Sequence, residues 1–160
     1  MDYISYFNDV MVRFEEALYH EISGEAYLKA ELVGTDFIKL KNVTGNTAEE
    51  LIARCAREII SAGIAKDVTC LISGLDICLK LNVRGCLHLP VEAKLRKDGI
   101  VPFMCPIANM FIDQLIDVLG YESGVLAALD IDENKGECVV KCAIYETAEA
   151  IGRVSDWTNI

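Results

Sequence analysis

The stretch VTCLISGLDICLKLNV, residues 68–83, decides the fold class. Leu71, Leu75, Ile77, Leu79, Leu81 and Val83 share one parity, and Cys70, Cys78 and Lys80 share the other. That period of two marks extended chain. Ser73-Gly74-Leu75-Asp76 carries turn chemistry and splits the run into two strands. A second pair, 124–131 and 137–146, turns through Asp132-Glu133-Asn134-Lys135-Gly136. Cys138, Val140, Cys142 and Ile144 share a face of its last strand. A further hairpin is expected over 27–33 and 36–43 around Gly34-Thr35-Asp36, with Leu32, Phe37 and Leu40 as its apolar members. Strands that arrive in hairpins point to an α+β fold, an antiparallel sheet with helices packed on one face.

Helices fill the intervals. Phe7, Val10, Met11, Phe14, Ala17 and Leu18 form an apolar stripe that predicts a helix over 3–20, stopped by Gly24. Thr47-Ala48-Glu49-Glu50 is a capping box, followed by Leu51, Ile52, Cys55, Ile59 and Ile60 on one face. Pro90 and Pro106 each suit the first residue of a helix, where a missing N–H is harmless. Those helices end at Gly99 and Gly120. The 160 residues fit one domain, with an N-terminal helix over 1–24 and a tail over 147–160.

The chain is 52% hydrophobic, with mean hydropathy +0.29, yet no apolar run is long enough to span a membrane. Met1-Asp2-Tyr3 lacks a signal-peptide pattern, so a cytoplasmic location is expected. A net charge of −10 argues against nucleic acid and anionic membranes, which recruit Lys and Arg. The apolar excess fits a full core, a pocket for a small apolar ligand, or an oligomer interface.

Seven cysteines are the most unusual feature: Cys55, Cys70, Cys78, Cys86, Cys105, Cys138 and Cys142. An odd number without an export signal suits core residues, metal ligands or catalytic thiols better than disulfides. Cys86 and His88 precede the Pro90 helix and would lie roughly 6.5 Å apart on one face of an extended segment. Cys105 falls at the N-cap of the Pro106 helix, where unpaired N–H groups and the helix dipole favour thiolate. Cys138 and Cys142 lie roughly 13 Å apart along one strand, so only one of them can join a site. Cys86, His88 and Cys105, with Cys138 or Asp130, form a candidate zinc or iron site. Against it, no C-x-x-C pair exists, and buried cysteine often acts as a small hydrophobe. Cys55, Cys70, Cys78 and Cys142 are read as core. Glu92 is a ligand, a general base, or simply a favourable acid in a first helical turn. His20 suits the C-terminal end of the first helix. Phosphate-loop, dinucleotide and serine-hydrolase motifs are absent.

Val83-Arg84-Gly85-Cys86, Gly99, Pro102-Phe103-Met104-Cys105-Pro106 and Lys135-Gly136-Glu137-Cys138 together resemble the 4-vinyl reductase domain family. The resemblance spans roughly 27–146 and is most specific over 83–142. It implies an α+β homodimer that binds small apolar, aromatic or tetrapyrrole-like ligands, the hydrocarbon-binding role. It also implies a zinc site in which Cys105 is the pre-helix cysteine and Cys138 a hairpin cysteine. The family's other hairpin cysteine falls at Asp130. The same cysteines also resemble the L-2-amino-thiazoline-4-carboxylate hydrolase-like family, which implies Cys86 or Cys105 as nucleophile and His88 as base. The leading expectation is a non-enzymatic ligand-binding domain, its pocket between the sheet and the helices at 47–63 and 106–119. A cysteine-dependent hydrolase and a structural or regulatory subunit are the alternatives.

Overall fold

The computed structural model describes residues 3–22, 30–73 and 77–147. In chain order the elements are α1 (Tyr3–Ile22), α2 (Thr35–Lys39), α3 (Ala48–Ser61), β1 (Asp67–Ser73), β2 (Ile77–Arg84), α4 (Leu89–Lys97), α5 (Pro106–Leu119), β3 (Ser123–Asp132) and β4 (Glu137–Tyr145). The strands form one sheet of order β1-β2-β4-β3, antiparallel throughout. The α+β class with an antiparallel sheet is therefore the observed one.

Two of the three hairpins read from the sequence, over 68–83 and 124–146, are present. In the second, Asp132 Oδ1 accepts from the Asn134 and Lys135 N–H groups, at 3.1 and 3.2 Å, and Gly136 closes the turn at φ 66°. The first hairpin corrects the single-parity reading. Leu81 pairs with Cys70 and Leu79 with Ile72, so the face inverts between the two strands, and the expected turn at 74–76 lies outside the described residues. Leu79, Leu81 and Val83 point into the core, while Leu71 is 62% exposed. Val68, Cys70 and Ile72 face inward instead.

The inner face of the sheet packs on α3 and α5. Leu51, Cys55 and Ile59 from α3, with Ile107, Phe111 and Leu115 from α5, meet Leu79, Leu81, Val140, Cys142 and Ile144 in one core. At roughly 1.5–3 kcal/mol per large apolar side chain, this cluster is the main source of stability. Thr47 caps α3 by accepting the Glu50 N–H at 3.3 Å. On the other face of the sheet Cys78 pairs with Ala143, both buried.

Two expectations fail. No strand forms over 30–43. Turns lead into α2, with Gly34 at φ 89° and the Thr35 hydroxyl donating to Leu32 O at 3.0 Å. Gly-Thr-Asp reads equally as a helix start, and the short alternation around it misled. Residues 27–29 and 148–160 lie outside the described residues, as does the Gly24 stop. In α1 most of the predicted stripe faces out, Phe7 being 62% and Phe14 74% exposed, while its members Met11 and Leu18 are half-buried. The buried positions are Val12 and Glu15, with Met11 and Tyr19 half-buried, against Val91, Leu95, Ile100 and Phe103. No helix among the described residues is long and apolar enough to cross a membrane.

At Gly124, near the start of β3, an added Cβ would lie 2.4 Å from Ile112 Cγ2. This close approach seats α5 on β3. Gly124→Val should therefore lower the free energy of unfolding in urea by about 1–3 kcal/mol. Adding Ile112→Ala should recover part of that loss, and a tolerated valine would refute the close packing.

Candidate functional site

Two helix starts carry the cysteines. Gly85, at φ 61°, ends β2 and donates to Gly136 O at 2.9 Å, and Leu87 donates to Ile64 O at 2.9 Å. These bonds fix Cys86 and His88 at the head of α4. His88, not Leu89, is the N-cap, and Pro90 is the second helical residue. The Cys86 Sγ accepts the His88 N–H at 3.4 Å and lies 3.7 Å from His88 Nδ1. At α5, Cys105 is the N-cap as expected, its Sγ accepting the Ala108 N–H at 3.5 Å.

Cys86 lies close enough to act electrostatically on both Cys105 and Cys138, Cys142 also acts on Cys105, and Glu92 acts on Cys86, Cys105 and Cys138. Asp130 does not join them. It is exposed and pairs with Val139, whereas Cys138 pairs with Ile131, so the pleat sends Asp130 to the opposite face. Cys142 is buried further along β4, and Cys55 and Cys70 pack in or against the core. Among the described residues no three His, Cys, Asp or Glu side chains converge on a point where a metal could sit.

Electrostatics point the same way. Burial pushes the Cys105 thiol well up, overriding the Ala108 N–H that favours thiolate. Burial also raises Cys86, pushes Cys138 up to about 12, and lowers His88. Near neutral pH the thiols are protonated and the imidazole is neutral. The helix start at Cys105 was expected to activate the thiol, and desolvation outweighs it. A zinc or iron site needs at least three converging donors, its thiols deprotonated. Among the described residues no such set of three donors is present, and burial favours the protonated form of the thiols around Cys86.

A second cluster adjoins the first. Glu15 of α1 and Glu92 of α4 are each 4% exposed and face each other where the helices pack. Neither Glu92 oxygen nor Glu15 Oε2 has a hydrogen bond of good geometry among the described residues, although the two carboxyls lie near enough to interact through a shared proton. Burial raises both carboxyls, and in Glu92 the charge of Glu15 raises it further. Among the described residues no cation offsets them, so the pair favours holding at least one proton near neutral pH. Sequence reasoning placed Glu92 only as a candidate ligand, base or first-turn acid, and it missed Glu15. The available signal was the alternative stripe of Met11, Val12, Glu15 and Tyr19, which has the same helical period.

The third feature is a cavity of about 630 Å³ between α5, the start of β3 and residues 30–39. Phe103, Met104, Ile112, Ile116, Val125 and Leu126 supply its apolar lining. At its edge, Asn109 Nδ2 donates to Ala30 O at 2.8 Å and Val33 O at 3.0 Å, tying the 30–34 turn to α5. The space expected between the sheet and the helices at 47–63 and 106–119 is solid core, and the cavity opens on another flank of α5.

The carboxyl pair sets a pH dependence. A carboxyl raised in the fold above its unfolded value of about 4.3 opposes folding once pH climbs past that value. The penalty is absent in acid and grows as pH rises toward the folded values. Glu92→Gln should match the wild type in unfolding free energy near pH 4 and exceed it by roughly 1–3 kcal/mol near pH 8. A difference that stays constant with pH would count against the buried pair. In comparisons with known proteins the chain matches no family model, no curated protein and no solved structure.

Proposed function

We propose that the protein is a small-molecule-binding domain, a carrier or sensor, whose ligand occupies the cavity along α5. The observation that carries this reading is the cavity itself. Its volume, about 630 Å³, falls within the range of ligand sites, roughly 300–1,000 Å³. Its wall has the mix such sites use, an apolar lining with a few charged groups at the rim. An apolar or aromatic ligand body suits that lining, in keeping with the resemblance to hydrocarbon-binding 4-vinyl reductase domains. The raised thiols favour this non-enzymatic reading over a hydrolase. Seven unpaired thiols suit a reducing compartment, so we place the protein in the cytoplasm.

Thermal unfolding with the neutral probe 1-naphthalenemethanol tests the reading. Binding to the folded state alone raises the melting temperature by mass action. The rise should vanish in Ile116→Trp, which fills the cavity. No rise with this probe, indole or a neutral porphyrin would remove the reading.

A separate observation favours a second role. Ile4, Phe7 and Phe14 of α1 are 57%, 62% and 74% exposed, an uncommon apolar display for a lone chain. We infer that this stripe packs against a second copy, giving a homodimer. Sedimentation should show a mass that doubles with concentration, and Phe7→Asp with Phe14→Asp should hold the chain monomeric. A wild type that stays monomeric at high concentration would exclude the dimer.

A further inference from the structure

The charged groups around the cavity are strongly one-sided. Four carboxylates line it (Glu31, Asp113, Asp117 and Glu122), and Lys39 is the only base among the described lining residues. Asp113 and Asp117 stand four residues apart on α5, so their side chains share a face. The Lys39 ammonium lies between them, 3.0 Å from Asp113 Oδ1 and 3.4 Å from Asp117 Oδ2. The Asp113 side chain is only 10% exposed, and its second oxygen accepts from Gln114 Nε2 at 3.3 Å. It is thus a fixed, largely desolvated anion at the edge of an apolar chamber.

Resting on the cavity reading, we propose that the ligand is an organic ammonium, an apolar or aromatic body bearing one protonated amine that takes the place of Lys39 between Asp113 and Asp117. Lys39 marks where a cation is stabilised. Its own hold is weak, because the side chain is 41% exposed and exposed ion pairs add little. A ligand amine anchored by its apolar body in the cavity meets the same carboxylates without giving up solvation of a flexible tether. A carboxylate-bearing ligand meets the opposite situation. It faces four acids in a chain of net charge −10 and must strip Lys39 from its partners. This selects against acidic aromatics and against tetrapyrroles with free propionates.

Three probes share one apolar body: 1-naphthylmethylammonium, 1-naphthalenemethanol and 1-naphthoate. Calorimetric titration at neutral pH should show the ammonium binding about tenfold tighter than the alcohol, the gain of one charge-assisted contact, and the naphthoate weakest. Lys39→Met should tighten the ammonium further. Asp113→Asn with Asp117→Asn should erase its advantage while leaving the alcohol unchanged, which also reports that the variant is folded. Equal binding of naphthoate and ammonium, or an ammonium preference that survives the double substitution, overturns the proposal while leaving the cavity reading intact. If the alcohol itself fails to bind, the cavity reading falls, and the charge preference falls with it.

Discussion

The structure depends on α5 being buried on nearly every side. From Pro106 to Ile112, and again at Gln114 and Leu115, its residues are shielded from water. The inner sheet face and α3 take one flank, α2 and the 30–34 turn another, and β3 approaches closely at Gly124. A helix enclosed in this way needs its first turn satisfied without a strongly polar cap, because buried polar atoms without partners are costly. Cys105 meets that need. A thiol accepts the Ala108 N–H weakly and otherwise packs like a small hydrophobe. The same burial that makes it a good cap keeps it protonated.

The cavity and the α1 contact share a wall. Phe103 lines the cavity and also packs in the cluster of Val12, Val91, Leu95 and Ile100. Its ring lies 6.0 Å from that of Tyr19 on α1. Whatever fills the cavity therefore presses on a side chain that α1 also touches. Beside that contact sits the carboxyl pair of Glu15 and Glu92, whose burial opposes ionisation. Packing of α1 on α4 is favoured by apolar burial and opposed by two acids that have no counter-ion among the described residues.

Much of the architecture was legible in the residues. Asp132 to Gly136 is turn chemistry of a kind that local bonds enforce, Thr47 caps the helix behind it, and Cys105-Pro106 opens α5 where it should. Failures arose where two periods or two faces competed. In α1 both stripes have helical spacing, and only the partner helix α4, distant in sequence, decides which is buried. In 68–83 the parity reverses between the two strands, which a single run cannot show. The candidate site was half legible. Cys86 does lie near both Cys105 and Cys138, where the Gly85 N–H bonds to Gly136 O. Asp130 goes to the other side of the pleat, Glu15 arrives from 77 positions before Glu92, and one wall of the cavity comes from residues 30–39, whose local pattern imitated a hairpin.

The placement of α1 bears on how the chain folds. Its buried contacts are with α4 and the Ile100–Phe103 segment, and they form a cluster separate from the main core. Those partners emerge from the ribosome some 70 or more residues after α1 itself. Contacts so far apart in sequence close slowly, because the loop entropy must be overcome before any burial is gained. The sheet, α3 and α5 can condense through nearer contacts. Helix α1, synthesised well before its partners, is thus among the last to dock, and in the native protein it is the segment placed to open and close while the core stays folded.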